Sequence, residues 1–300
     1  MSMIWHDPYT PLLKELRLRN DAEDEETFAD ALQRLQPYVT RLRENYAASP
    51  SRVDFSCEHT RAAYMLVYYP HYIEPLYHIL CALPQDVIQT CFGGEKVRAT
   101  FLGAGPAPEV LGWVAFLNRH APQARVALAY LLDWHVHAWR IGQEITAYAL
   151  APCYWPRGKT LLQPFEFDLL NPTALEQPRL QNAIRRSSLI VMQNCLNDLL
   201  HAREAVLETF LRILDLAASP TLVVVCDLYF PGVCDLMAEM LGALERRHWG
   251  EVVLPLQYRE VTSGISLPEV ITRHLLTGDE TQRLFPRKHT RFYALAVWHV

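Results

Sequence analysis

The sequence predicts an α/β fold, a sheet covered by helices on both faces and preceded by a helical region. Two observations carry this. From residue 96 onward, apolar runs of strand length alternate with segments of helical hydrophobic period. The clearest runs, RVALAYLLD at 125–133 and TLVVVCDLY at 221–229, are apolar almost throughout, as strands covered on both faces should be. The first 95 residues, in contrast, are rich in helix formers at helical spacing. The chain therefore divides into a helical region, 1–95, and an α/β domain, 96–300.

In chain order, Leu12, Leu13, Leu16 and Leu18 fall near one face of a short helix. An acidic stretch at 21–26 leads into Phe28, Ala31, Leu32 and Leu35 at spacings of three and four. That is a second helix, whose first turn carries the acids the macrodipole favours. The aromatic-rich segment 57–84, broken by Pro70, Pro75 and Pro84, reads as two or three short helices with a turn at 69–70. Its aromatics suit a core or the wall of a cleft. After Gly93 and Gly94 a strand is expected at 97–103. A helix follows at 107–120 through Val110, Leu111, Val114 and Leu117, then a strand at 125–133 and a helix at 134–149. A proline-rich loop leads to a short strand, 165–170. Strand 187–196, helix 206–218, strand 221–229 and helix 231–249 come next, and strands at 251–261 and 291–300 flank a polar insertion.

Composition excludes several classes. Half of the 300 residues are hydrophobic and 20% are charged, ordinary globular usage and far from a disordered chain. A net charge of −5 argues against a protein that coats nucleic acid non-specifically. The seven cysteines form no CxxC and no metal-ligand spacing, so reduced thiols in a cytoplasmic compartment are expected. His135 and His137 lack the rest of a ligand set, and no metal is expected. The start, MSMIWHDPYT, has no basic or apolar signal character, and no uncharged apolar run approaches membrane length, so no membrane partner is expected. Arg157, Gly158 and Lys159, like Arg185 and Arg186, form small basic spots that read as solvated surface.

The chemistry concentrates at Gly103-Ala104-Gly105-Pro106-Ala107-Pro108-Glu109, which follows a strand and opens a helix. Glycine lets the backbone turn tightly and lets a ligand approach main-chain N–H groups. The next strand ends in Asp133, thirty residues after Gly103, where α/β folds hold ribose hydroxyls. Phe165-Glu166-Phe167-Asp168 places another acid beyond a third strand.

The glycine turn, the two acids and the terminal strand pair together resemble class I S-adenosylmethionine-dependent methyltransferases over roughly residues 60–300. GAGPAPEVLG, LLDWHVHAW and LIVMQNCLNDL look most like a group that includes fungal ribosomal-RNA uridine methyltransferases. The resemblance implies S-adenosylmethionine as cofactor and a Rossmann-like seven-stranded sheet in the order 3-2-1-4-5-7-6, the last strand antiparallel. It also implies that the N-terminal helical region caps the site and selects the acceptor.

By the same resemblance Gly103, Ala104 and Gly105 would line the methionine part of the cofactor and Asp133 would take the ribose hydroxyls. Asp168 or Leu169 would lie by the adenine, and Gln193 and Asn194 would fall near the transferable methyl group. Trp134 and Trp139, near Asp133 in sequence, read as packing beside the cofactor site or simply in the core. Two positions depart from the pattern: Phe101 stands where an acid is usual, and Ala107 where a third glycine is. Glu109 is the candidate substitute for the missing acid. No DPPY-type or NPPY-type tetrad follows the fourth strand, so the catalytic candidates remain Asn194, Asp198 and Asp227, with His201 a further possible base. The acceptor is unidentified, with a protein or small molecule favoured over RNA. An inactive scaffolding relative and a nicotinamide-dinucleotide enzyme are the competing readings.

Overall fold

The computed structural model describes residues 7–19, 25–48, 53–278, 284–285 and 287–300. Residues 1–6 and the acidic residues 21–24, read above as a non-signal start and a helix approach, lie outside them. Six helices come first: α1 (Tyr9–Arg19), α2 (Glu25–Arg34), α3 (Gln36–Ala47), α4 (Glu58–Val67), α5 (Glu74–Cys81) and α6 (Gln85–Phe92). The prolines of the aromatic segment punctuate them. Pro70 lies in a 3-10 turn, Tyr69–Tyr72, Pro75 in the first turn of α5, and Pro84 just ahead of α6. An early helical position suits proline because the missing N–H would have no partner there.

The alternating part then runs β1 (Lys96–Leu102), α7 (Pro108–His120), β2 (Val126–Asp133), α8 (Arg140–Glu144), α9 (Ala151–Tyr154) and β3 (Lys159–Glu166). It continues with α10 (Pro178–Arg185), β4 (Leu189–Gln193), α11 (Leu196–Leu199), α12 (Arg203–Leu216), β5 (Thr221–Leu228) and α13 (Pro231–Arg246). The last elements are β6 (Glu251–Thr262), α14 (Glu269–His274) and β7 (His289–His299). The strands form one seven-stranded sheet, β3-β2-β1-β4-β5-β7-β6, the expected order. β1 to β5 pair in parallel, and β7 runs antiparallel between β5 and β6.

Side chains leave a strand alternately on its two faces, and the two hydrophobic clusters follow from that. Phe101 and Val224 face a cluster that continues through Trp113 and Phe116 of α7 into Leu32, Val39 and Leu42 of α2 and α3. Leu102 and Val225 face the other cluster, with Ile184, Phe210, Ile213 and Met237 of α10, α12 and α13. Phe101 is buried against Trp113, and an aromatic at that position serves packing. Among the described residues no helix is long and apolar enough to cross a membrane.

Four expectations need correction. The third strand spans Lys159–Glu166, not 165–170. As an edge strand it is half-exposed and tolerates Pro164, so it carries no continuous apolar run. The helix expected at 134–149 begins only at Arg140 and extends to Tyr154 through a π-helical stretch, Ile145–Leu150. Residues 134–139 form turns instead, because the Asp133 carboxylate takes the His135 N–H. Arg157 is exposed but more than a solvated spot: its guanidinium donates to Asn118 Oδ1 and to the carbonyls of Leu117, Asn118, Ala121 and Pro122, capping α7. The insertion between the last strands is not simply polar, for it contains α14 and buries Ile271, Leu275 and Leu276 in the core.

Candidate functional site

Where β1 ends the backbone takes an unusual course. Gly103, Gly105 and Ala107 all adopt left-handed conformations, with φ of +63°, +50° and +63°. Gly103 donates its N–H to the Leu132 carbonyl at 2.8 Å, which latches the bend to β2. A Cβ on Gly103 would lie 2.7 Å from Cys195 Cβ, so both conformation and space demand glycine there. At Gly105 the conformation alone demands it, since the nearest neighbour is the Trp139 ring at 3.6 Å. Ala107 then caps α7, with Pro108 and Glu109 in its first turn.

The Asp133 carboxylate points at this bend. Its Oδ2 accepts the Gly105 N–H at 2.9 Å and its Oδ1 the His135 N–H at 2.7 Å. A carboxylate has about four acceptor sites, so lone pairs remain for hydroxyl donors. Burial pushes the Asp133 carboxyl up, opposed by the two amide bonds and His135. Glu109, buried in the first turn of α7, is pushed up to about 8, chiefly by burial and further by the Asp133 charge.

A cavity of about 250 Å3 opens above the bend. Gly103, Ala104, Gly105 and Glu109 line it from the β1–α7 junction, Asp133 and Trp134 from the end of β2, and Asp168 and Leu169 from beyond β3. Gln193, Asn194 and Asp198 line it from beyond β4. Every residue nominated for the cofactor thus borders one space. Asp133, Glu109, Asp168 and Asp198 give it four carboxyl groups, and no described lysine or arginine lines it.

Gln193 is held from both ends: Nε2 donates to the Tyr72 carbonyl at 2.9 Å, and Oε1 accepts the Cys226 thiol at 3.4 Å. Asn194 is left-handed, φ +55°, and its buried Nδ2 has no hydrogen-bond partner among the described residues. Asp168 accepts the Leu170 N–H at 2.8 Å. Cys195 is a buried thiol packed on Gly103, pushed well up by burial.

Two candidate bases do not border the cavity. Asp227 is buried, and its carboxylate accepts the N–H groups of Leu196 at 2.6 Å and Leu228 at 2.7 Å. It ties the loop after β4 to the end of β5, and burial pushes it up to about 7. His201 lies on a 3-10 turn, its Nδ1 3.1 Å from the Asp198 carbonyl. His135 lines the cavity, whereas His137 is exposed and 3.8 Å from Glu166. Among the described residues no group of three or more His, Cys, Asp or Glu could hold a metal ion.

A cap from the N-terminal helical region was expected, but the residues that line the cavity from it were not singled out in the sequence. Tyr46, Val53, Phe55 and Tyr64, all from the N-terminal helical region, close over the glycine turn. Phe55 and Tyr64 pack on Trp139, with ring centroids 5.1 and 5.5 Å apart.

An open α/β sheet with a cavity between the carboxyl ends of β1 and β4, where the strand order reverses, is the Rossmann-like arrangement. Neither a protein-family profile nor a curated protein matches the sequence. Among solved structures the chain is similar to an antibiotic-related methyltransferase, at 11% identity and a TM-score of 0.41, over 72% of this chain and 94% of that one. It is similar to a SAM-dependent methyltransferase from Methanosarcina mazei at 10% identity and 0.41, over 70% and 95%. An rRNA methylase from Streptococcus thermophilus matches at 11% and 0.36, over 75% and 97%.

Proposed function

We propose that the chain binds S-adenosylmethionine in the acid-lined cavity and transfers its methyl group to an acceptor by in-line displacement. The single observation that carries this is the acidic lining: four carboxyl groups, of which burial keeps Glu109 protonated near neutral pH, and no described lysine or arginine. A ligand bearing a sulfonium and an ammonium is attracted by such a site, whereas the pyrophosphate of a nicotinamide dinucleotide is repelled. The residues present fit the group. The remaining lone pairs of Asp133 would accept the ribose hydroxyls, Glu109 would face the ammonium, and the Asn194 amide has a donor to offer. Phe167 and Leu169 would give apolar surface to the purine, with Asp168 beside its amino group.

S-adenosylmethionine, when bound, supplies a methyl group already activated by sulfonium charge. The protein's contribution is alignment and exclusion of water, which converts a bimolecular step into an effectively unimolecular one. The aromatic roof would shield a bound cofactor from water, and Asp198, beyond β4, would receive the acceptor's proton. The absence of disulfides among the described cysteines fits a reducing compartment, and a cytoplasmic site of action is part of the proposal.

Titration of the purified protein with S-adenosylmethionine and with NAD tests the reading: the first binds and the second does not. Asp133→Ala weakens S-adenosylmethionine binding by about 1–3 kcal/mol through the lost charged hydrogen bonds. Unchanged affinity removes the assignment. Transfer of radiolabelled methyl groups into RNA, protein or small-molecule fractions then separates an enzyme from a protein that binds the cofactor without turnover.

A further inference from the structure

A second cavity, of about 440 Å3, carries the opposite charge. It lies at the end of β5 and the start of β7, and its wall includes Tyr72, Tyr229, Phe230, Arg287, His289 and Arg291, with no described Asp or Glu. Glu260 faces Arg291 in the β6–β7 register, but its carboxylate lies 3.5 Å from His289 Nε2 and accepts the Tyr258 hydroxyl at 2.8 Å. Among the described residues no carboxylate forms an ion pair with either arginine. The Arg287 guanidinium lies 6.0 Å over the Tyr68 ring. The Tyr72 hydroxyl is buried and has no hydrogen-bond partner among the described residues. Tyr229, half-exposed, stacks on Tyr293 with centroids 5.1 Å apart. The cavity thus offers two guanidinium forks, an unpartnered phenol and flat aromatic faces, in a chain whose net charge is −5.

The two cavities share a wall. The Tyr72 ring lines the second, while its carbonyl holds Gln193, which lines the first. They sit over neighbouring strands, with Gln193 of β4 paired to Cys226 of β5. Such strands lie about 5 Å apart.

We infer that the second cavity binds a small aromatic compound carrying a carboxylate or a phosphate. Guanidinium forks match planar and tetrahedral oxyanions bidentately, and aromatic walls accept a ring. A cavity of this size in an acidic protein suits a small anion better than a polyanion.

The test titrates the full chain with benzoate, phenyl phosphate, neutral benzamide and a short oligouridylate. In parallel, S-adenosylmethionine is titrated into the same protein and into Arg287→Gln, Arg291→Gln and the double variant. Benzoate or phenyl phosphate is expected to bind at least about tenfold tighter than benzamide, a margin in keeping with charge-assisted bidentate pairing. The tighter of the two identifies the oxyanion. The double variant is expected to abolish that preference while keeping the melting temperature and the S-adenosylmethionine affinity of the parent. Benzamide binding as well as the anions, anion binding unchanged in the double variant, or oligouridylate binding tighter than either anion overturns the inference. Failure of the parent to bind S-adenosylmethionine overturns the methyl-transfer reading alone, while the anion site stands or falls on the arginine variants.

Discussion

Glu109 keeps a carboxyl group buried beside a second acid, and this sets a pH dependence that can be signed. Its ordinary value of 4.5 is raised to about 8 by burial and by the nearby Asp133 charge. Between those values the native state holds a proton that the unfolded chain has lost, so stability falls as pH rises through this window. One such group gives a slope of up to about 1.4 kcal/mol per pH unit. Asp227, raised to about 7, acts in the same direction over a lower range. Denaturant titrations between pH 5 and pH 8 should therefore show a declining stability that Glu109→Gln partly flattens. An identical slope in the variant would contradict the buried, protonated acid. The same residue scale explains why part of the site was legible. Asp133 ends a strand that is apolar in sequence and Gly103 and Asn194 directly follow two others, and strand ends are where α/β sheets present ligands. Asp227 also ends such a strand, yet its carboxylate is taken by two backbone amides, and no spacing rule distinguishes a tethering acid from a reactive one.

At the scale of elements, legibility followed burial. β4 and β5 are buried at every position, and their sequences announce them. β3 lies at the sheet edge, where alternate exposure and Pro164 erase the apolar run. Tyr46, Val53 and Phe55 left no signal of their role, because closing over the glycine turn is a tertiary contact with no periodic trace in the sequence. Arg157 was hidden for a related reason. Its guanidinium gathers the carbonyls that the last turn of α7 and the following loop leave unsatisfied, a partnership between segments about forty residues apart in sequence. Arg157→Ala should lower stability by about 1–2 kcal/mol, from hydrogen bonds lost to a charged donor that remains partly solvated. Arg157→Lys should recover only a fraction, since an ammonium cannot fork across several carbonyls. Urea denaturation of the two variants measures both effects, and wild-type stability in the alanine variant would refute the capping role.

Across the whole molecule, one hydrophobic cluster runs from Tyr9 in α1 through the N-terminal helices and α7 to Ala296 in β7. The roof of the acid-lined cavity is therefore anchored in the same core as the sheet that forms its floor. Within that sheet β7 is an interior strand, paired with β5 over eight positions and with β6 on its other side. A chain ending at residue 288 would leave β6 without a partner and β5 with a bare edge open to aggregation. Such a truncation should lose the cooperative thermal transition of the full chain and most of its solubility; a soluble product melting cooperatively would show that the sheet closes without its last strand. During synthesis the same topology imposes an order. Residues 221–228 emerge from the ribosome well before 289–299, the segment that must slide in beside them, so β5 waits through about sixty residues of synthesis for its second neighbour.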